Sequence, residues 1–249
     1  MRSSSLSNSH SEVSVTSFIC PFCGYEGALE LMGADRFPVL QKFEVIGAGR
    51  RAARCPKCKS TDKERLVYLF LKYIERISFK DTLSILHIAP ERNLKQWLKS
   101  ISCNYIAGDA FLQNQEFDDD VQFIDIRHTD FCDGQFDYII CNHVICDIKE
   151  DRAALSEIYR ILRDKGKAIL QVPITKISKT IEDPNAKTKE DRETAYGYGY
   201  HERIYNNNEY VKLLSSIGFY IDVCNISKEY YNNGLNPLED LYICNKTKK

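Results

Sequence analysis

The chain has 249 residues, 43% of them hydrophobic, and a formal net charge of −1. This length supports one well-packed main domain with room for a small appended module. The near-neutral charge gives no general attraction to nucleic acid or to an acidic membrane surface. No apolar run in the sequence approaches the roughly 20 residues that cross a bilayer.

The N-terminal residues are rich in serine and lack the apolar core of a secretion signal. We therefore expect residues 1–17 to be a disordered tail and the protein to be cytoplasmic, without membrane association. The ten cysteines then favour free thiols or metal ligands over disulfides, which are rare in that compartment.

Four cysteines form two CxxC pairs, in the stretches CPFCGYEG and CPKCKSTD: Cys20, Cys23, Cys55 and Cys58. A CxxC turn can direct both sulfurs at one ion, so two such turns complete a tetrahedral site of four thiolates. We predict a zinc ribbon over residues 18–61, although the segment between the pairs is longer than usual. Iron in the same site is the chemical alternative. A closed site of this kind is structural.

A basic segment overlaps the ribbon. Residues 36–65 contain nine Lys or Arg and three Asp or Glu, a local net charge of +6. A solvated loop face is the simplest interpretation of this cluster, and a site for a phosphorylated or polyanionic partner is the alternative.

Apolar residues at helical spacing predict a helix within residues 62–77, which joins the ribbon to a larger domain. Strand-like and helix-like runs then alternate along the chain. Strands are predicted at residues 83–88, 104–107, 121–124, 136–144 and 166–174, and helices at 94–101 and 151–162. Such alternation predicts an α/β fold with right-handed crossovers and a doubly wound, mostly parallel sheet.

The C-terminal part adds a predicted helix near residues 208–216 and two strands, 218–227 and 240–246, which can pair antiparallel at one edge of a seven-stranded sheet. The polar segment before them, residues 175–207, is too long for a plain connection. Its tyrosines alternate with glycines, and this aromatic content favours a binding lid over a disordered linker.

These elements carry a family resemblance. The stretches LHIAPE, FDYIICNHVICDI, RAALSEIYRILRDKGKAILQVPI, TIED and YHERIY, after CPKCKSTDKERL, resemble class I S-adenosylmethionine-dependent methyltransferases, above all a bacterial group with an N-terminal CPxC zinc knuckle. The resemblance covers roughly residues 20–219. It implies a Rossmann-like catalytic domain over residues 62–249, S-adenosylmethionine as the cofactor, and methyl transfer as the reaction.

The resemblance also implies cofactor-binding residues. The loop after the first strand would hold the methionine end of the cofactor, an acid after the second strand the ribose, and residues after the third strand the adenine. By position the implied residues are His87, Ala89 and Glu91 in the loop, Asp109 for the ribose, Asp125 and Ile126 for the adenine, and Asn142 beside the transferable methyl group.

The loop departs from the family pattern, because Ala89, Pro90 and Glu91 stand where most members have glycines. A backbone without glycine cannot bend or approach a ligand in the same way. The Glu91 carboxylate could pair with the cofactor's ammonium group. The alternative is that Glu91 only caps the following helix, where negative charge is favourable.

Methyl transfer requires an aligned acceptor and, for a hydroxyl, a group that removes its proton. His143 and His201 are candidate bases, because histidine titrates near neutral pH, and Asp183 is a candidate to orient the acceptor. For each of them a solvated loop residue is the alternative. The candidate acceptor-binding residues are Tyr196, Tyr198, Tyr200 and Arg203, of which the arginine suits a phosphate or carboxylate.

Three functions remain open from the sequence. The leading one is a methyltransferase acting on an oxygen or nitrogen of a small, anionic or sugar-like metabolite. The second is an RNA methyltransferase whose ribbon binds substrate, which the basic segment favours and the overall charge disfavours. The third is a non-catalytic binding protein, suggested by the missing glycines. An NAD-linked oxidoreductase is disfavoured because a GxGxxG turn is absent.

Overall fold

The computed structural model describes residues 17–34, 36–78, 82–110 and 120–246. The predicted N-terminal tail, except its last residue, lies outside these ranges. Within them, no helix is both long enough and apolar enough to span a membrane.

The N-terminal part is built from short elements around the two CxxC turns. They are β1 Phe18–Ile19, β2 Glu26–Gly27, β3 Glu30–Met32, α1 Pro38–Lys42, β4 Val45–Ile46 and β5 Arg51–Arg54. β1 pairs with β2 and β3 pairs with β5, both antiparallel. α1 and β4 lie in the segment 33–50 between β3 and β5, which we call the ribbon insertion. This insertion accounts for the long spacing between the two CxxC pairs.

Helix α2, Asp62–Leu69, starts directly after the second CxxC turn and continues as a π-helix over Phe70–Ile74. A capping box fixes its first turn: the Thr61 hydroxyl accepts the Glu64 N–H, and the Glu64 carboxylate accepts the Thr61 N–H. The predicted joining helix therefore begins at a defined residue.

The remaining elements follow in the predicted order. They are β6 Ser84–Ile88, α3 Arg92–Ile101, β7 Asn104–Asp109, β8 Val121–Phe123, β9 Phe136–Cys141, α4 Asp151–Ile161, β10 Leu162–Ile169, β11 Ile174–Thr175, α5 Lys189–Tyr196, β12 Tyr205–Asn206, α6 Asn207–Ile217, β13 Tyr220–Cys224 and β14 Leu241–Asn245.

Seven of these strands form one sheet in the order β13-β14-β10-β9-β6-β7-β8. β14 runs antiparallel to both of its neighbours, and the pairs from β10 to β8 are parallel. The predicted doubly wound, mostly parallel sheet is confirmed, with the reversed strand one position in from the edge. The chain winds outward in opposite directions from β6 and β9, so the switch point where such sheets bind ligands lies between these two strands.

The core has one apolar layer on each face of the sheet. Successive residues of β6 show this, because Ile85 packs with Leu66 and Leu94 on one face and Leu86 packs with Leu155 on the other. A buried parallel strand must be apolar on both sides. Helices α2 and α3 therefore cover one face, and α4 and α6 cover the other.

A second, three-stranded sheet joins the ribbon insertion to the predicted lid, in the order β12-β11-β4. β4 belongs to the insertion, whereas β11 and β12 begin and end the lid segment. Helix α1 also packs against the end of α5: a Cβ on Gly197 would lie 2.7 Å from the Leu40 side chain. The insertion, near the N-terminus, and the lid, which follows β10, thus pack together as a single cover.

The guanidinium of Arg65 holds the ribbon against the larger domain. Arg65 is fully buried, and its side chain donates to the carbonyl oxygens of Ala53, Ser60, Asn233 and Gly234 at 2.7 to 3.1 Å. Two of these carbonyls belong to the ribbon and two to the segment before β14.

We expect Arg65→Met to lower the free energy of unfolding of the zinc-loaded protein by about 3 to 5 kcal/mol, because buried carbonyls lose their donors. Urea titration followed by tryptophan fluorescence measures this change. Arg54→Met is the matched control: Arg54 is exposed on β5, and its loss should change stability by no more than about 0.5 kcal/mol. Equal effects of the two variants would contradict the anchoring role of Arg65.

Candidate functional site

The four predicted metal ligands converge. The Sγ atoms of Cys20 and Cys58 are 3.5 Å apart and those of Cys23 and Cys55 are 3.7 Å apart. All four sulfurs lie within 4.8 Å of one another. Zinc–sulfur bonds of about 2.3 Å place tetrahedral sulfurs about 3.8 Å apart, so the four thiols fit one ion in a closed, structural site.

The two CxxC turns have the same backbone. In each, the first cysteine N–H donates to the carbonyl five residues later, and the N–H four residues later donates back to the cysteine carbonyl, all at 2.9 Å. Gly24 and Lys59 occupy the same position, with φ of 67° and 63°. A lysine in this left-handed conformation is strained, which indicates that the surrounding turn imposes it.

The loop after β6 bends without glycine. Ala89 adopts the left-handed conformation, with φ of 49°, and its N–H donates to the Gly108 carbonyl at 2.8 Å. Gly108 must itself be small, because a Cβ there would lie 2.2 Å from the Ile124 side chain. The loop therefore makes a left-handed bend with an alanine rather than a glycine.

Glu91 is the N-cap residue of helix α3, but its side chain makes no capping hydrogen bond. Its carboxylate instead accepts hydrogen bonds from His87 Nε2 at 2.9 Å and from the Asn142 amide. The Glu64 carboxylate accepts the N–H groups of Asn93 and Leu94 at the N-terminus of α3, at 2.7 and 2.9 Å. Glu91 therefore occupies the cap position while its carboxylate faces the switch point.

His87 is a buried support for Glu91. The Tyr105 hydroxyl donates to Nδ1 of His87 at 3.0 Å, which leaves the Nε2 proton for Glu91. Burial favours a raised pKa for Glu91, but the hydrogen bond from His87 outweighs it and holds the pKa below the usual value. Glu91 is thus an anion at neutral pH, and His87 is placed to orient it rather than to touch a ligand.

Asn142 and His143 follow β9 at the same end of the sheet. His143 has a positive φ of 58° and lies 3.2 Å from the Glu239 carboxylate through Nε2. Its ring also packs on Gly47 of the ribbon insertion, where a Cβ would lie 3.1 Å from the imidazole. Burial lowers the pKa of His143 well below its usual value, so the imidazole is neutral near pH 7.

Buried polar atoms without a hydrogen-bond partner concentrate around these residues. Within the described ranges they include Asn142 Oδ1, Gln171 Oε1, Glu239 Oε2 and His201 Nδ1. Buried polar groups in folded proteins nearly always have partners. The carboxyl ends of β9 and β10, beneath the cover, therefore have the polar character of a ligand site.

Lys63 is a site residue that the sequence analysis missed. The helical pattern of α2 places it on the polar side of the helix. In the structure Lys63 is half-buried, and its charge acts on the ionisation of Glu91, His143 and Asp147. Its ammonium makes no hydrogen bond or ion pair with any residue in the described ranges. The polar side of α2 therefore faces the site.

The other predicted cofactor residues lie at the ends of neighbouring strands. Asp109 is buried at the end of β7. Asp125 pairs with Arg127, whose guanidinium donates to the carboxylate at 2.6 to 3.1 Å. This pairing lowers the pKa of Asp125. Ile126 is in the core below them. Cofactor binding by these residues stays a prediction.

Two lid residues have structural roles instead of the predicted contact with an acceptor. Tyr196 is buried, and its hydroxyl accepts the Asp183 N–H at 2.7 Å. Arg203 is also buried, and its guanidinium donates to the carbonyls of Ile148 and Lys149 and to Glu182. Each residue fixes the lid and has little left to offer a substrate.

The other predicted site residues of the lid differ in their surroundings. Tyr198 and Tyr200 are 49% and 43% exposed. Asp183 is exposed on a turn where it accepts the Asn185 N–H. The carboxylate beside His201 is that of Asp147, at 3.6 Å. A catalytic role for Asp183 stays a prediction that this geometry does not favour.

Part of the chain matches a known protein family. Residues 94–170 match the family model described as "Methyltransferase domain". The resemblance to methyltransferases is confirmed over this segment, which runs from α3 to the end of β10. A search of curated protein sequences finds no match.

Solved structures with a similar backbone include two methyltransferases. A SAM-dependent methyltransferase from Archaeoglobus fulgidus is 14% identical, with a TM-score of 0.48 over 74% of this chain and 94% of that one. The 1,6-didemethyltoxoflavin-N1-methyltransferase of Burkholderia thailandensis, with bound S-adenosylhomocysteine, is 15% identical, with a TM-score of 0.47 over 75% and 79%. The strand order of the sheet, rather than these values, defines the fold.

The strain at Ala89 can be measured. We expect Ala89→Gly to leave the free energy of unfolding within about 0.5 kcal/mol of the original, because relief of the left-handed alanine offsets the added chain entropy. Ala107→Gly, in the regular strand β7, gains no such relief and should cost about 1 kcal/mol or more. Denaturant titration compares them, and equal losses would show that Ala89 is unstrained.

Proposed function

We propose that this protein is an S-adenosylmethionine-dependent methyltransferase acting on an oxygen or nitrogen of a small, anionic or sugar-like acceptor. The observation that carries the proposal is the arrangement at the switch point: the Glu91 carboxylate, the unpartnered Oδ1 of Asn142 and the buried Asp109. The family match over residues 94–170 supports it.

These residues suit the functional groups of the cofactor. Glu91 and Asn142 Oδ1 are acceptors on one side of the switch point and would bind the ammonium group of the methionine end. The Asp109 carboxylate, at the end of the next strand, can accept two hydrogen bonds from vicinal ribose hydroxyls. When bound, the cofactor supplies a methyl group on a positively charged sulfur. The protein's part is to align the acceptor and to manage its proton.

His143 is our candidate base. Its lowered pKa keeps the imidazole neutral, and hence able to accept a proton, across the cytoplasmic pH range. The Glu239 carboxylate at Nε2 would orient the ring and stabilise the cation that forms when a hydroxyl acceptor loses its proton. His201, the other predicted base, lies beside a different carboxylate, that of Asp147, at 3.6 Å.

Lys63 takes over the anion-binding role predicted for Arg203. Its charge acts on the pKa of Glu91, His143 and Asp147, and its ammonium has no hydrogen-bonded partner in the described ranges, whereas the donors of Arg203 are committed to the lid anchor. A cleft of about 710 Å³, a size typical for small molecules, lies along the ribbon insertion. It is lined by the ribbon insertion together with Lys176 and Leu238.

The basic segment supports the RNA alternative only in part. Arg65 is buried, Arg51 pairs with Asp62 at 2.5 Å, and Lys59 pairs with Glu30 at 2.8 Å. Further exposed basic residues of the segment are Arg36, Lys42, Arg50, Arg54 and Lys57. The net charge of −1 gives no general attraction to nucleic acid, and we therefore favour a small acceptor. We also propose zinc as the structural ion of the ribbon and the cytoplasm, which keeps thiols reduced, as the location.

Calorimetric titration of the zinc-loaded protein with S-adenosylhomocysteine tests the cofactor site. We expect binding, weakened roughly 10- to 100-fold in Asp109→Asn and in Glu91→Gln, because each loses a charged hydrogen bond of about 1 to 3 kcal/mol. Asp164→Asn is the control, since Asp164 is an exposed carboxylate in β10. Absence of binding by the folded protein would refute the proposed cofactor.

Lys63→Met tests the acceptor charge. After a screen with labelled methyl donor has found acceptors, we expect this variant to raise KM for anionic acceptors at least tenfold and to leave affinity for S-adenosylhomocysteine unchanged. Loss of one well-placed ion pair in a half-buried site is worth about 1 to 2 kcal/mol. Lys149→Met, at an exposed lysine, is the control. A Lys63→Met variant with unchanged KM would remove Lys63 from acceptor binding.

A further inference from the structure

Three side chains that the proposed methyl transfer does not use meet beneath the lid. Cys146 and Asp147 lie on the 3-10 helix Ile145–Asp147, and His201 lies on the lid. Each offers a metal-ligating atom, and these atoms lie within 4.8 Å of one another. Cys146 and His201 are buried and Asp147 is largely so. None of the three is a ligand of the ribbon site.

The distances are those of ligands around one ion. Asp147 Oδ1 is 3.5 Å from Cys146 Sγ and 3.6 Å from His201 Nε2. Tetrahedral zinc, with bonds of about 2.3 Å to sulfur and about 2.1 Å to nitrogen and oxygen, separates such atoms by about 3.4 to 3.6 Å. The three atoms therefore need little movement to bind a common ion.

The backbone holds the two segments in this relation. The N–H of Glu202, next to His201, donates to the Cys146 carbonyl at 2.8 Å. Arg203 then donates to the carbonyls of Ile148 and Lys149, just beyond the 3-10 helix. The lid is thus attached to the helix on the side where the ligating atoms meet, and a binding site set up in this way loses little entropy when it is filled.

A hydrogen bond between the Cys146 thiol and Asp147 explains only part of this arrangement. It leaves His201 buried, with no partner for Nδ1 in the described ranges and with Nε2 too far from Asp147 for a hydrogen bond. A buried imidazole without hydrogen bonds is unfavourable. A metal ion on Nε2 gives the imidazole one partner, whereas Nδ1 remains without one in the described ranges.

We propose that Cys146, Asp147 and His201 bind a second zinc ion, with the fourth coordination position open. Thiolate, imidazole and carboxylate are the ligand types that zinc takes, and three protein ligands with one free position is the arrangement of catalytic rather than structural sites. Binding displaces the thiol proton of Cys146 to solvent, because the thiolate is the form that ligates.

The open position takes water or the hydroxyl or thiol group of an acceptor. The half-exposed Tyr198 lies beside the site, with its ring centroid 4.9 Å from that of His201, so the lid is the side from which a ligand enters. The assignment of an acceptor to this position rests on the proposed methyl transfer. Metal binding does not, and its test below is independent of cofactor binding.

Metal content tests the site directly. The protein is loaded with zinc, desalted, and analysed by mass spectrometry of the metal. We expect one zinc per chain beyond that of the ribbon, and we expect Cys146→Ser and His201→Ala each to lose this one ion and keep the other. Cys244→Ser is the matched control, because Cys244 is equally buried on β14 and should retain both ions.

X-ray absorption of the original protein makes the test independent of how the variants fold. A ribbon ion alone gives four sulfur neighbours per zinc, whereas two ions give a lower average and a contribution from imidazole. The proposal is overturned if the loaded protein holds one zinc with four sulfurs, or if Cys146→Ser and His201→Ala retain as much zinc as Cys244→Ser. If S-adenosylhomocysteine fails to bind while two ions are present, the proposed function fails and the metal site stands.

Discussion

The carboxylate of Glu64 on the N-terminus of helix α3 is the contact on which the site depends. It accepts the N–H groups of Asn93 and Leu94 and, through the capping box, also fixes the start of its own helix. One buried charge thereby joins the end of the ribbon to the loop after β6. Because the helix terminus is already satisfied by Glu64, the Glu91 carboxylate can turn toward Asn142, which makes the loop after β6 acidic.

The neighbours of Glu64 extend this role along α2. Asp62 binds Arg51 of the ribbon, Lys63 faces the site, and Arg65 donates to ribbon carbonyls. Four consecutive residues thus contact the ribbon, helix α3 and the segment before β14 or act on the site, as the 100° step of a helix allows. The ribbon contributes to the site through this helix and through the ribbon insertion, which pairs with the lid and contacts His143. A structural ion that folds the ribbon would therefore also shape this site.

The site contains several ionisable groups in a small buried volume, and burial shifts the pKa values of its acids and its bases in opposite directions. It lowers the pKa of His143 and of His201, the latter to about 3, and raises the pKa of Asp147 to about 7. Burial thus disfavours every charged form. Glu91 is the exception, because His87 donates to it. The three groups therefore differ in their surroundings. Glu91 is an anion at the switch point, and His143 is a neutral imidazole beside Glu239. His201 lies beside Asp147, with no partner for its Nδ1 in the described ranges.

The sequence by itself determined the order of the elements, the sheet class and the four-cysteine ribbon, because these depend on periodicity and on the spacing of CxxC turns. It also placed Glu91 and Asn142 at the ends of the correct strands. The tertiary structure decided which side chains meet. The Glu64 carboxylate, rather than that of Glu91, accepts the N–H groups at the start of α3. The half-buried Lys63 acts on the site, and Arg203 donates to backbone carbonyls of the lid anchor. Such partners are remote in sequence, and nothing in a local pattern records the direction in which a polar side chain points once a cover has folded over it.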